Sequence, residues 1–393
     1  ETLVRLVKAA FAHLSSRPRG QHDARVYNPD WAGAPAITVI ETVNDDMSFL
    51  FDSVAGELAD RGLDLRLTSH PILAVEREAA GTLEQIEADL HSAKGRSLPH
   101  ESIIHLHIPQ LESEAAMAEL KAALDKTLAD VRAANVDFLA MRDEVRALAK
   151  ACRVANVPYS QADRNEAAEF IEWLAGNNFI FLGVRRYGLS GDGALVPELG
   201  LGILRDPAVK EVGEGRDTAS LPQIGEGAPL LITKSALWSR VHRRAYADFI
   251  GMKLHAADGR ETGELHIVGL FTSNVYTHSA RHIPYLRLKT GLVLARAGLD
   301  EESHSGKALA TVLETYPRDD LFQIDADTLL PYALDILSLY DRPRVRVLPR
   351  PDAFGRFVSV LVYVPRERFD STLRQRIGER LAAAFGGKVE GFT

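Results

Sequence analysis

Cysteine is nearly missing from this chain. Cys152 stands alone among 393 residues, so neither an intrachain disulfide nor a cysteine-rich zinc site can form. That suits a reducing compartment, and the cytoplasm is the expected location. Long apolar runs are missing too: none approaches the roughly 18 residues needed to cross a bilayer, and residues 1–20 are interrupted by charges instead of built like a signal peptide. Nor is there a surplus of positive charge. The 46 basic against 54 acidic side chains leave a net charge of -8, without the global field that drives non-specific binding to phosphate backbones. Neither nucleic acid nor a membrane is therefore an expected partner. The opening Glu1, where methionine would begin a complete chain, leads us to expect a piece of a longer polypeptide whose catalytic centre lies elsewhere.

What is present reads as globular, with 46% apolar and 25% charged residues over a length that suits two or three domains of about 150 residues. Residues 37–43 (ITVIETV) are β-branched and predict a strand, and Asn44, Asp45 and Asp46 are helix-capping types that predict a helix starting there. Met47, Leu50, Phe51, Val54 and Leu58 then recur at intervals of three and four, up to a stop at Gly62. An extended segment over 63–77 with a break at Pro71 and a strand over 101–108 follow, giving the order β-α-β-β. Residues 111–153, rich in Ala, Leu, Glu, Lys and Arg, predict two long helices broken near Asn135.

Beyond Val157-Pro158 the pattern changes. A short helix over 163–175 precedes extended runs at 178–187, 229–234, 247–256 and 263–272, joined by glycine-rich connections at 188–193 and 211–227, which predicts an antiparallel sheet. Helices over 283–297 and 304–315 lead into strands at 320–324, 344–348, 357–364 and 388–392. Helices at 326–340 and 368–385, with a turn at 349–355, complete a ferredoxin-like βαββαβ unit.

Chemistry is harder to find. No GxGxxG stands between a strand and a helix; GLSGDG (188–193) and ELGLGIL (198–204) read as turns. Gly306-Lys307 fails as a phosphate loop because Glu301 replaces the leading glycine and Ala308 the hydroxyl. His105 with His107, and His278 with His282, have ligand-like spacing, but no HExxH or cysteine pair supports a metal. His105 and His107 share a strand face with Ile103, opposite Ile104, Leu106 and Ile108. Cys152 reads as a small buried hydrophobe, no GxSxG elbow occurs, and the basic run Arg240, His242, Arg243 and Arg244 reads as a solvated edge or a partner contact. The best local candidate is Asn44, Asp45 and Asp46 with Asp52. Free NH groups at a helix N-terminus would take an amino acid's carboxylate, and side-chain carboxylates its ammonium; ordinary capping is the competing account.

Four stretches carry a resemblance: YNPD (27–30), ETVNDDMSFLFDSV (41–54), ESIIHLHI (101–108) and GLFTSNVYTHSARHIPYLRLKTGLVLARAGLDEESHSGKALATVLETYPRDDLFQID (269–325). The chain resembles, over most of its length from Tyr27, the large bacterial NAD-specific glutamate dehydrogenases. That resemblance implies an α+β fold of ACT-like (ferredoxin-like βαββαβ) domains flanking a PAS-like antiparallel-sheet domain, with connecting helices. The divisions are an N-terminal helix and linker at 1–34, an ACT-like domain with its helices at 35–157, a PAS-like domain at 158–300, a helical linker at 301–318 and a second ACT-like domain at 319–393. It further implies a regulatory and assembly region that senses an amino acid and self-associates into a homo-oligomer, the catalytic domain lying further along the same polypeptide. NAD would serve that parent enzyme, which deaminates L-glutamate to 2-oxoglutarate, and no cofactor is expected in this segment. The alternative is a purely structural oligomerisation region.

Overall fold

The computed structural model of the protein describes residues 1–87, 89–154, 157, 159–212 and 229–392. These fall into two compact units. The first opens with helix α1 (Thr2–Leu14) and a six-stranded sheet formed by β1 (Asp23–Tyr27), β2 (Ile37–Asp45), β3 (Leu67–Ser69), β4 (Ile72–Arg77), β5 (Leu83–Glu87) and β6 (His100–Pro109). Helix α2 (Leu50–Asp60) follows β2, and the short α3 (Ala93–Ser97) precedes β6. The strand order is β1-β2-β6-β4-β5, with β3 pairing to another stretch of β6.

Strands β2 and β6 form the centre, and their antiparallel register sets Ile40 against Leu106 and Thr42 against Ile104. Directly paired residues share a face, so Ile40, Ile104, Leu106 and Ile108 project to one side and Val39, Glu41, His105 and His107 to the other. Helix α4 (Glu114–Val136) lies over the first side, because its Arg132 reaches Asn44, which projects with Ile40 and Thr42. Its Leu120, Leu124, Leu128 and Val131 recur every three or four residues and are fully buried. On the second side Leu6 of α1 packs with Ile37 and Val39, against Tyr27 and Trp31.

The break between the two long helices comes at Asp137, where α4 ends and α5 (Phe138–Val154) begins. The unit continues in a five-stranded sheet of order β8-β7-β11-β10-β9, made of β7 (Phe179–Leu189), β8 (Leu195–Gly202), β9 (Leu231–Trp238), β10 (Tyr246–His255) and β11 (Glu261–Phe271). Here β8 replaces the turn expected around ELGLGIL; that stretch alternates poorly because its glycines serve close approach. Gly202 has φ 62, and a Cβ there would lie 2.1 Å from the carbonyl oxygen of Leu182. Its N–H donates to Asp137 Oδ2 at 2.8 Å, tying the helix break to the strand end. The GLSGDG turn does close the β7-β8 hairpin. The glycine-rich connection expected at 211–227 lies, from residue 213, outside the described residues.

The second unit holds α6 (Gln161–Trp173), α7 (Ser273–Thr277), α8 (Leu286–Ala297), α9 (His304–Thr315), α10 (Arg318–Gln323), α11 (Ala326–Asp341), the two-stranded sheet of β12 (Arg346–Pro351) and β13 (Val358–Tyr363), and α12 (Ser371–Phe385). Two sequence expectations fail in it. Where a strand is expected at 320–324, residues 318–323 form helix α10: Asp319 and Asp320 sit in its first turn, and Lys289 of α8 donates to the carbonyls of Leu321, Phe322 and Ile324 at 2.6–3.0 Å, so charges at both ends complement the helix dipole. Among the described residues no strand follows α12 at 388–392, and the βαββαβ pattern is represented here by α11, β12, β13 and α12.

Candidate functional site

The sequence places its candidate site at a helix start, and the structure places those residues at a strand end. Asn44 and Asp45 are the last residues of β2, paired with Ser102 and Glu101, and Asp46 donates its N–H to the His100 carbonyl at 2.9 Å. Sheet pairing with β6 therefore outlasts the capping preference. The helix begins at Leu50, and its N-cap is Phe49 at φ 74 with no side-chain cap hydrogen bond. None of Asn44, Asp45 or Asp46 caps it.

Two of the four candidates are brought together by cations from elsewhere. Arg132 of α4 donates to Asp45 Oδ2 at 2.8 Å and to Asn44 Oδ1, while Arg17 donates to Asp45 Oδ1 at 2.7 Å. Burial works to raise the Asp45 carboxyl, but the hydrogen bonds from Arg132 and Arg17 outweigh it and hold the group below its ordinary range. Asp46 is exposed and stands apart. Asp52 lies on α2, where it faces His242 Nδ1 at 3.1 Å.

Arg17 extends this cluster inward. It is 1% exposed and donates to Glu101 Oε1 at 2.5 Å; Arg77 grips the same carboxylate with Nε and Nη2, both at 2.7 Å. The remaining Arg77 donors go to the carbonyls of Gly81 and Leu14, so one buried carboxylate ties α1, β4 and β6 together. Further along the same sheet face Glu41 binds Arg25 Nε at 2.5 Å and His105 Nδ1 at 2.9 Å, and His105 Nε2 lies 2.8 Å from His107 Nε2. Burial works to raise Glu41, but His105, His13 and Arg25 hold it far below the ordinary carboxylate range.

The basic run Arg240 to Arg244 is not a solvated edge; it makes contacts within its own unit. This loop between β9 and β10 docks on α2 and α4. His242 N–H donates to Ser53 Oγ at 2.9 Å and its ring lies 5.1 Å from that of Phe49; Arg244 bonds Glu57 at 2.8 Å and Arg240 bonds Asp130 at 3.0 Å.

A second buried charge cluster, which sequence reading missed, lies in the five-stranded sheet. His266 Nδ1 is 2.9 Å from Glu211 Oε1 and its Nε2 is 3.0 Å from Glu264 Oε2. Tyr187 and Arg185 also donate to Glu211, at 2.7 and 2.9 Å. With a carboxylate at each ring nitrogen the imidazole is held as the cation: burial lowers its pKa, and the two carboxylates more than reverse that. Burial likewise works to raise Glu211, but His266 and Tyr187 bring it to about 2. A visible signal existed in the alternation of GELHIVGLF, where Glu264 and His266 share a parity inside an apolar strand. A charge so placed needs buried partners.

Comparison with known proteins gives consistent matches. Residues 1–124 match the family model for the glutamate dehydrogenase ACT1 domain, 283–342 that for glutamate dehydrogenase helical motif 1, and 346–393 that for the glutamate dehydrogenase ACT2 domain. The NAD-specific glutamate dehydrogenase of Halomonas elongata is 37% identical over 389 residues, covering 92% of this chain. Those of Pseudomonas aeruginosa and Mycobacterium tuberculosis are 33% and 30% identical, each covering 96% of it. The chain spans 23%, 24% and 22% of these three proteins, about a quarter of their length.

Proposed function

The chain belongs to the N-terminal, ACT-containing region of the large NAD-specific glutamate dehydrogenases, and on that footing we propose that it is the non-catalytic regulatory and assembly region of such an enzyme. It acts in the cytoplasm, senses an amino acid, self-associates into a homo-oligomer and works on a catalytic domain of the same polypeptide. The observation that carries this reading is the ordered run of ACT1, helical motif 1 and ACT2 along one chain. The middle five-stranded sheet is, in this proposal, the PAS-like element between them.

Oxidation of L-glutamate to 2-oxoglutarate and ammonia with NAD belongs to the rest of the polypeptide. The residues here do not fit NAD. The β2-to-α2 connection carries Asp46, Met47, Ser48 and Phe49, with no glycine to admit a pyrophosphate and with the carboxylates of Asp45 and Asp46 to repel one. The isolated chain is accordingly expected to form no NADH from glutamate and NAD. Turnover proportional to its concentration, surviving repurification, would refute this.

In the form the sequence suggests, the effector binds at Asn44, Asp45, Asp46 and Asp52, and its ammonium displaces Arg132 or His242. The same engagement of Asp45 by two arginines and of Asp52 by His242 favours a second reading, in which the region only assembles the enzyme. Calorimetric titration with a panel of amino acids, beside light scattering, separates the two. Saturable heat with one amino acid is expected. An oligomer that gives no heat with any of them would establish the assembly-only reading.

A further inference from the structure

The first unit contains a cavity of about 440 Å³, a size typical of small-metabolite sites. Its wall is apolar where β7 and β9 meet the chain after β8, with Leu182, Val209, Leu237 and Val241. Asp130 of α4 and Arg240 of the β9-β10 loop both line the space and lie 3.0 Å apart. Lys210 lines the cavity too, with no partner among the described residues.

We propose that this cavity is the effector site and that its ligand is an L-amino acid with a large apolar side chain. The ammonium group binds Asp130, the carboxylate binds Arg240 with Lys210 beside it, and the side chain enters the Leu182–Leu237 wall. An amino acid carries its ammonium and its carboxylate on one carbon, and Asp130 and Arg240 present the complementary charges side by side. The ligand is received by opening this one ion pair, which costs little because Arg240 is 45% exposed and its bond to Asp130 is correspondingly weak. Burial raises the Asp130 carboxyl above its ordinary range despite Arg240, so the group gains from a second cation. Since Asp130 stands on the helix covering the first sheet and Arg240 on the loop of the second, a ligand spanning them changes how the basic loop rests on α2 and α4.

This rests on the reading of the region as an amino-acid sensor and assigns the sensor a place other than the β2-α2 turn. The test is calorimetry on the protein chain with L-leucine and with 4-methylpentanoate, which keeps the carboxylate and side chain but lacks the ammonium. Leucine is expected to bind and the acid to bind at least tenfold more weakly. Arg240→Gln should weaken leucine at least tenfold. Asp130→Asn should do the same for leucine while leaving the acid unchanged or tighter, a pattern a merely structural role would not produce. Circular dichroism melts confirm that both variants fold. Asp52→Asn, on α2 beside that turn, should leave leucine binding as it is. Leucine binding that is lost in Asp52→Asn but kept in Arg240→Gln would overturn the cavity and return the site to the turn. Binding of only a polar amino acid, unaffected by Asp130→Asn and Arg240→Gln, would overturn the cavity and leave the sensor reading standing. No binding of any amino acid would remove both.

Discussion

Glu101→Gln is expected to cost about 3–5 kcal/mol of folding stability, the range found when one partner of a buried ion pair is removed. The side chains of Glu101, Arg17 and Arg77 are 2%, 1% and 1% exposed, so the two guanidinium groups left behind cannot turn to water. The substitution keeps the shape and removes only the charge and one acceptor. Its cost is therefore that of leaving buried Arg77 with no carboxylate and Arg17 with Asp45 alone, and not of opening a cavity. Asp125→Asn serves as the control, since Asp125 is 36% exposed and its contacts to Lys121 at 2.8 Å and His22 at 3.4 Å should together be worth no more than about 1 kcal/mol. Urea unfolding of the three proteins measures both. A loss under about 1 kcal/mol for Glu101→Gln would mean that solvent reaches the cluster and that the ties to α1 and β4 hold little.

That cluster also marks where the sequence could be read and where it could not. Periodicity carried the long elements: α4 and α5 with their break, β2, β6, β7, β10, β11, α8, α9, α11 and α12 all follow from apolar spacing and from the stops that flank it. Short polar edge strands were not legible. DARVY of β1 and LEQIE of β5 owe their state to a neighbouring strand and not to a face of their own. Helix α10 misled because DLFQI has the composition of a strand, and its dipole partners, above all Lys289, lie about thirty residues away. The expected helix start at Asn44–Asp46 failed for the same kind of reason. Capping preference is local, and it yielded to the pairing of Asn44 and Asp45 with β6 and to Arg17 and Arg132, which stand 28 and 87 residues from Asp45 in sequence. What composition could announce was only that Glu41, Glu101, Glu264 and His266, set among apolar neighbours, required partners.

The cluster around His266 sets the second large expectation, which is a dependence on pH with two limbs. Glu211 titrates at about 2 in the folded protein against an ordinary 4.5, so its contribution is complete above 4.5 and drains away as pH falls toward 2. His266 is shifted the other way. Its folded pKa lies above 6.5, so its contribution is complete below 6.5 and is lost as pH rises through the raised value. Stability from this cluster is therefore greatest between about 4.5 and 6.5. Glu211→Gln should cost about 3–5 kcal/mol at neutral pH, because Arg185 and the imidazolium lose their shared carboxylate. It should flatten the acid limb and draw the alkaline limb to lower pH, since Glu264 alone then holds the imidazole proton. His266→Gln acts in the opposite sense. It removes the alkaline limb and leaves Glu211 with Arg185 as its cation, so that this carboxyl moves back toward its ordinary range, and the variant should be most impaired between about pH 4.5 and 6.5 and recover relative to wild type on either side. Thermal melts of the three proteins from pH 3 to 9 decide this. Parallel curves, displaced but equal in shape, would mean that the imidazole is neutral in the folded protein, in which case one of the two carboxylates must carry a proton to remain at hydrogen-bonding distance from it.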